Sequence, residues 1–289
     1  MSRCDIVFVG HLAWNRDRTP HGDHTAVGGS ALYCALGTCV GDPHRVGVVA
    51  PIGRDFDVAP LRRLGVDCTG VRVFDGRTPR FVITQRPDGG RDFEADWGVA
   101  AQVRLHIFPR RYLEAKHVHL CTAPPAQQLA WIGWLRRQRP EMTISIDTFE
   151  AFVHQYPTAS RRACLAADLV FLNQEESDAL GWTLPKGRAA ATVLKRGPRG
   201  ADYFGRSQQM RVETAQVPAI DTTGAGDVLA GSFLALRTLG LAPTVALPHA
   251  VRIATASVQG FGVEKVALRQ AIDRVRLDIE RMVRLECAS

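Results

Sequence analysis

Long apolar runs are missing from this 289-residue chain. None approaches the about 18 residues that a membrane helix needs, and the first apolar stretch, residues 6–9, follows Asp5 and stops at Gly10. The expectation is a chain with no membrane span and no signal peptide. Paired cysteines are missing too: the seven stand at positions 4, 34, 39, 68, 121, 164 and 287, an odd number with no C-x-x-C spacing. Neither a zinc site nor a disulfide framework is indicated, and the expected compartment is the reducing cytoplasm. Lysine is scarce, since the 36 basic residues comprise 32 arginines and 4 lysines, and the net charge of +7 is spread along the whole chain. Without a basic cluster carrying interleaved aromatics, nucleic-acid binding is not expected. The arginine pairs 62–63, 110–111, 136–137 and 161–162 read as solvated helix faces. Repeats are absent, and 26 glycines and 16 prolines without period exclude collagen-like and disordered classes.

What is present is hydrophobic material enough for a core, 46% of residues, arranged as alternating strands and helices. Residues 6–9 read as a buried strand and residues 11–26 as a polar loop containing His11, His21 and His24, whose irregular spacing favours plain loop histidines over a metal site. A helix follows Gly28-Gly29, with Ser30 available as its cap. A strand at 45–50 and a helix at 56–64 stopping at Gly65 come next. Between residues 71 and 97 the pattern changes to alternation, with turns at Asp75-Gly76 and residues 88–90, which predicts a small antiparallel sheet beside the main one. Strands then recur at 117–121, 143–147, 169–173 and 192–195. Residues 228–239 form a nearly continuous apolar helix stopped at Gly240, and Ile272, Val275, Ile279 and Met282 mark a terminal amphipathic helix with arginines outside. The expected fold class is α/β, one domain over residues 1–289: a mostly parallel sheet with helices on both faces, and a lid-type β insertion at roughly 11–26 and 71–97.

One segment carries chemistry. Asp221-Thr222-Thr223-Gly224-Ala225-Gly226-Asp227 stands immediately before the apolar helix. Its glycines allow close backbone approach, and a helix start presents unpaired N–H groups and partial positive charge to an anion. Asp227 stands where a phosphoryl acceptor's hydroxyl would lie and could take its proton, while the amides of Gly224, Ala225 and Gly226 stabilise the transferred group. Taken alone, the short turn reads more readily as an aspartate capping its own helix, because such caps are common and a bare G-x-G is a weak signal.

The longer stretch, D-T-T-G-A-G-D followed by V-L-A-G-S-F-L-A-L, resembles the second signature of the ribokinase-like (PfkB) carbohydrate kinases, in spacing and in its place in the last third of the chain. The resemblance implies that Asp227 is the catalytic base and that residues 224–226 form the anion hole. Asn173-Gln174-Glu175-Glu176 resembles the family's N-x-x-E motif, implying that Asn173 and Glu176 position Mg²⁺ and nucleotide phosphates. The other reading is a polar helix start complementing the dipole. The segment from Leu194 to Gly200 resembles the strand and G-x-x-G turn that lie along ATP, implicating Lys195, Arg196, Gly197 and Gly200. A basic turn without a ligand is the plainer reading. Asp221 and Thr223 are implied at a monovalent-cation (K⁺) site.

Gly28-Gly29 and the residues up to Ala35 resemble the family's first G-G motif, which approaches the sugar. Two departures touch the acceptor: Tyr33 stands where sugar kinases often have Asn, and Asn15 near a position where they have Asp. Together with the short N-terminal half, these are closer to the myo-inositol kinase branch. Asn15, Asp17, Asp23 and Arg80 are candidate hydrogen-bonding groups for a polyol, and Asp147, at a strand end, is a further contact for substrate or nucleotide. Each of the first four could equally be an exposed loop residue. The activity expected is ATP-dependent phosphorylation of a small polyol, a cyclitol or sugar, with a homodimer as the candidate assembly. A nucleoside kinase of the same fold is the alternative, and a binding or sensing protein without turnover is the alternative from another class. Only Trp14 and Tyr33 stand near enough in sequence to the acceptor loop to stack on a base, which favours the cyclitol. A dinucleotide oxidoreductase is disfavoured, because no G-x-G-x-x-G follows the first strand.

Overall fold

The computed structural model describes residues 3–19, 22–86, 91–182, 188–262 and 266–286. In chain order the elements are β1 (Ile6–Val9), β2 (Ala13–Thr19), β3 (Gly22–Gly28), α1 (Ser30–Gly37), β4 (Val46–Ile52), α2 (Ala59–Arg63), β5 (Asp67–Val73), β6 (Arg80–Gln85), β7 (Arg91–Asp96) and β8 (His117–Leu120). They continue with α3 (Pro125–Gln138), β9 (Thr143–Asp147), α4 (Glu150–Gln155), α5 (Pro157–Ala166), β10 (Leu169–Asn173), α6 (Gln174–Leu180) and β11 (Ala191–Lys195). The last are β12 (Ala201–Gly205), β13 (Gln209–Val212), α7 (Ala225–Thr238), α8 (Pro243–Ser257) and α9 (Val266–Glu286).

Nine strands form one sheet in the order β13-β12-β11-β10-β9-β8-β1-β4-β5, parallel except for β12 and β13 at one edge. The inner strands β1, β4 and β10 are apolar on both sides because both faces are covered there. Along β1 the alternation divides the core: Ile6 and Phe8 join α1, α7, α8 and α9, while Val7 and Val9 join α3 and α5. The parallel strands bring their C-terminal ends to one rim, where β1 runs into Gly10, β9 ends at Asp147, β10 at Asn173 and β11 at Lys195. Across this rim α1 and α7 meet in a seam lined by small residues. A Cβ at Gly231 would lie 1.9 Å from the Cys34 carbonyl oxygen and one at Gly37 2.4 Å from that of Val228, while the Ser232 hydroxyl donates to the Gly37 carbonyl at 3.2 Å.

A second sheet, ordered β3-β2-β6-β7, lies beside the first; its outer pairs are antiparallel and its central pair, β2 with β6, runs parallel. Here the sequence expectations need correction. Residues 11–26 are not an irregular loop: most of them form β2 and β3. The period of two is intact along β2, where Ala13, Asn15 and Asp17 are buried and Arg16 is exposed. Polar side chains occupy the inward positions because that face looks onto the crevice rather than onto a core. Residues 71–73 belong to β5 and hence to the main sheet, not to the insertion. The second helix is shorter than the expected 56–64, covering Ala59–Arg63. Ser30 is the first residue of α1 and no cap; Gly29 is the N-cap, with φ of 98°. The arginine pairs are not purely solvated either, since Arg111 binds Asp67 and Arg136 binds Asp168. His21, the turn at 88–90 and Cys287 lie outside the described residues. No helix among the described residues is long and apolar enough to cross a membrane, and the described cysteines are free thiols.

Candidate active site

The turn before α7 is built by its own aspartate. Asp221 is fully buried and its Oδ1 accepts the Thr223 N–H at 2.8 Å, a local bond that bends the chain into Gly224. Gly224 has φ of 74° and lies against the Tyr33 ring, which a Cβ would meet at 2.3 Å. Both constraints demand glycine. The first-turn amides of α7, with the positive end of its dipole, open onto the rim. Asp227 stands in that turn with no side-chain cap bond formed at the helix start, so the structure does not use it as a cap. It keeps one edge toward the crevice, yet lost hydration, then repulsion from Asp147, push its carboxyl up to about 8 against the pull of Lys195.

Lys195 projects from the end of β11 into this group of acids. Its Nζ meets both oxygens of Asp147 at 2.6 and 2.7 Å, and a Cβ at Gly226 would lie 3.3 Å from the same Nζ. Asp147 and Glu176, ahead of Asp227, hold the ammonium protonated against the cost of burial. The cation is thus set between a carboxylate and the anion-binding turn. Arg196, next along the strand, faces the other way and binds Asp202 at 2.7 Å, so the structure does not bring it to the phosphate position. Gly197 and Gly200 form the turn after β11, in line with the expected G-x-x-G.

Asn173 and Glu176 form a capping box on α6. The Asn173 side chain accepts the Glu176 N–H at 2.8 Å, and Glu176 Oε2 accepts the Asn173 N–H at 2.8 Å and the Thr148 hydroxyl at 2.6 Å. This motif therefore builds the helix start, worth about 0.5–2 kcal/mol. Glu176 nonetheless contributes its charge to Asp147, Lys195 and Asp227. Asp147 and Glu176, joined by Asp227 when it ionises, offer more hard carboxylate oxygens than one ammonium occupies, which is the donor chemistry that suits a hydrated Mg²⁺.

On the acceptor side, Asn15 and Asp17 are buried on β2 and reach the anion turn. Asp17 Oδ1 accepts the Thr223 hydroxyl at 2.8 Å, and Asn15 Nδ2 donates to the Tyr33 hydroxyl at 3.4 Å while lying against Gly28. Burial and the nearby Asp17 and Asp221 hold the Tyr33 phenol well above its usual range, so it is neutral. Asn15, Asp17, Gly28, Gly29, Tyr33, Asp147, Lys195, Asp221, Thr223 and residues 224–227 are thus assembled around one crevice, with Asn173 and Glu176 behind it. Asp23 and Arg80 are not. Asp23 is half exposed in an ion pair with Arg16, and Arg80 is tied to Asp55 at 3.0 Å on the exposed side of the small sheet.

Two features escape a reading of the sequence. The small sheet and the end of β9 bring aromatics together: Trp97 lies 5.5 Å from His11, 5.3 Å from Phe81 and 5.9 Å from Phe152 between ring centres, and Phe93 lies 5.4 Å from Phe149. His11 is buried there and, its charged form desolvated, titrates near about 4, hence neutral at physiological pH. Stacking surface near the acceptor is therefore not confined to Trp14 and Tyr33; the rings at 93, 97, 149 and 152 are remote in sequence, and only the fold unites them. The second is a cavity of about 460 Å³ whose walls include Thr214, Val217, Val251, Thr255, Gln259 and Arg274. Gln216 ties one wall to the Gly197 turn by donating to the Pro198 carbonyl at 3.4 Å. Alternating alanine and polar residues on α8 and α9 carry no signal for it.

The chain is 28% identical over 257 residues to a cytidine kinase of Thermococcus kodakarensis, covering 80% of this chain and 87% of that one. It is 27% identical over 253 residues to an ATP-dependent ribose-1-phosphate kinase of Halopiger xanaduensis, covering 80% and 83%. In fold it is similar to the Burkholderia thailandensis nucleoside kinase solved in complex with inosine, with a TM-score of 0.78, 19% identity and coverage of 94% and 96%. Residues 17–269 match the pfkB family carbohydrate kinases. The chain belongs to that family, and it is a kinase.

Proposed function

We propose that the protein transfers the γ-phosphoryl group of ATP to a hydroxyl of a nucleoside. The observation that carries the reading is the Asp227 carboxyl at the first turn of α7, pushed up to about 8 and set beside the anion turn and Lys195. A base poised near working pH takes the acceptor's hydroxyl proton as that oxygen attacks phosphorus. The amides of residues 224–226 and the Lys195 ammonium stabilise charge on the transferred group and on the departing ADP. Glu176 and Asp147 are the carboxylates that would hold Mg²⁺ with its water shell. When bound, that ion neutralises phosphate charge and orients the chain of phosphates. The cavity of about 460 Å³ beside the Gly197 turn suits the adenosine end of the donor. K⁺ near Asp221 and Thr223 belongs to the same reading, although Thr223 already spends its hydroxyl on Asp17.

The acceptor reading shifts from the cyclitol expected by sequence to a nucleoside. Asn15, Asp17 and the neutral Tyr33 hydroxyl offer partners for ribose hydroxyls, and the cluster around Trp97 offers faces for a base. The cytidine kinase relative supports it. A polyol remains the second reading, because the amide and carboxylate of Asn15 and Asp17 suit any ring of hydroxyls. A panel of nucleosides, free and phosphorylated sugars, and cyclitols, read by ADP release, tests both: the highest kcat/KM is expected for a nucleoside. A cyclitol or sugar turned over more efficiently overturns the acceptor and spares the chemistry.

A further inference from the structure

Beneath Asp227 lies a group of side chains that phosphoryl transfer does not use. Cys34 on α1, with Cys121 and His119 on the strand opposite, are fully buried, and their ligand atoms lie within 4.8 Å of one another. His119 and Cys121 are two residues apart, hence on the same face of an extended chain, and α1 lowers Cys34 onto that face. The two sulfurs are 3.9 Å apart. Two thiolates on one tetrahedral Zn²⁺, with bonds of about 2.3 Å, sit about 3.8 Å apart, so the observed spacing needs almost no adjustment.

The histidine is prepared in the way metal-bound histidines are. Its Nδ1 bonds the Ser145 hydroxyl at 2.7 Å, and that hydroxyl also bonds His117 Nε2 at 2.7 Å. Such an outer partner fixes the ring and its tautomer. The remaining nitrogen, Nε2, is buried with no hydrogen-bond partner among the described residues, a costly arrangement for a polar atom unless a ligand completes it.

We propose that Cys34, Cys121 and His119 bind a thiophilic divalent cation of the Zn²⁺ class, and that its binding inhibits the kinase through Asp227. The inhibitory half rests on Asp227 being the base. Binding converts two thiols to thiolates and releases two protons to solvent, leaving the ion three-coordinated by protein. The Asp227 Oδ1 is 4.0 Å from Cys34 Sγ, so the fourth position lies within reach of that carboxylate. A carboxylate drawn to the ion cannot accept the acceptor's proton.

The test titrates the intact enzyme, freed of thiols and chelators, with Co²⁺ as a spectroscopic stand-in and then with Zn²⁺ as competitor. One ion per chain, with a sulfur-to-cobalt charge-transfer band that Zn²⁺ removes, is expected. Cys121→Ser and His119→Gln should each weaken binding at least tenfold, while Cys39→Ser, outside the group, leaves it unchanged. In parallel, with Mg²⁺ supplied throughout, Zn²⁺ should inhibit turnover at a concentration that rises at least tenfold in Cys121→Ser, each variant being compared with its own rate in Mg²⁺ alone. Wild-type enzyme without the band, or with a band that survives in folded Cys121→Ser and His119→Gln, overturns the site. Binding without inhibition overturns the coupling, and Asp227→Asn, assayed with Mg²⁺ and without Zn²⁺ or Co²⁺, shows independently whether Asp227 is the base.

Discussion

Ion pairs on the small sheet stand in water, whereas the one at the rim of the large sheet does not. Arg16 and Asp23 keep 52% and 50% of their side-chain surface exposed; Lys195 and Asp147 keep 17% and 2%. Exposed pairs contribute about 0–1 kcal/mol, because water screens them and two mobile side chains must be ordered. A buried pair is different in kind: its formation gains little net, but removing one partner strands the other charge, at about 3–5 kcal/mol. One chain thus carries the same pairing of cation and carboxylate exposed on its small sheet and buried at the rim of its large one. Substitutions at the two places should differ sharply.

The strongest break in the comparison is Asp227→Asn. Turnover should fall by roughly 10² to 10⁴ with KM for ATP little changed, as loss of a general base requires. A near-normal kcat would show that the base lies elsewhere. Because the folded Asp227 pKa is raised, from 3.8 to about 8, the protonated carboxyl is favoured in the native state. Its contribution to stability is complete below about pH 4 and is lost as pH rises through about 8. The variant should therefore gain in Tm relative to wild type between pH 6 and about 9, by about 2 °C or more. The wild-type rate should climb with pH up to about 8.

Lys195→Met comes next. It leaves Asp147, Glu176 and Asp227 without their ammonium, so we expect about 3–5 kcal/mol of lost stability in urea unfolding. KM for ATP should also rise at least tenfold. A variant as stable as wild type would mean that Asp147 is protonated or solvated once the lysine is gone, and that the pair is not a true buried ion pair.

A smaller effect sharpens the acceptor side. Trp97→Ala should raise KM for the preferred nucleoside by fivefold to a hundredfold, corresponding to about 1–3 kcal/mol of stacking, with KM for ATP constant. Equal rises for both substrates would point to a loosened lid instead of a lost contact. The smallest effect belongs to the exposed pair: Asp23→Ala should change stability by no more than about 0.5 kcal/mol and leave both KM values alone. A large rise in acceptor KM there would return Asp23 to the site.

These contrasts mark how far the sequence could be read. The anion turn and Asp227 were legible because the whole device is contiguous, an aspartate bending a glycine turn into the first turn of a helix. The parallel sheet was legible from apolar strands separated by helices. The β2–β3 hairpin was legible only as part of a β insertion and not strand by strand, since its inward positions carry Asn15 and Asp17 rather than apolar groups, and polarity alone mimics a loop. The link between Lys195 and Asp147 was beyond reach for another reason: it joins the ends of β9 and β11 across β10, and no local spacing encodes strand order. That Arg196 turns to Asp202 while Lys195 turns to Asp147 was not legible either, because motif spacing does not say which of two adjacent residues of an extended chain faces the crevice. The grouping of His119 with Cys34 and Cys121 has no C-x-x-C spacing to signal it, because only the fold brings α1 against the end of β8.

The small-residue seam between α1 and α7 constrains how this protein can acquire new specificities. With Gly231 against the Cys34 carbonyl and Ser232 bonded to Gly37, the helix bearing Tyr33 and the helix bearing Asp227 form a single rigid body. The spacing between Tyr33 and Asp227 is therefore set by this seam and not by the small sheet. A substitution that enlarges either helix at the seam would displace both residues at once, whereas a change in β2, β6, β7 or the ring cluster beyond them leaves the seam untouched. On the proposed function, acceptor choice could be altered from the small sheet alone, with the spacing around Asp227 kept as a unit.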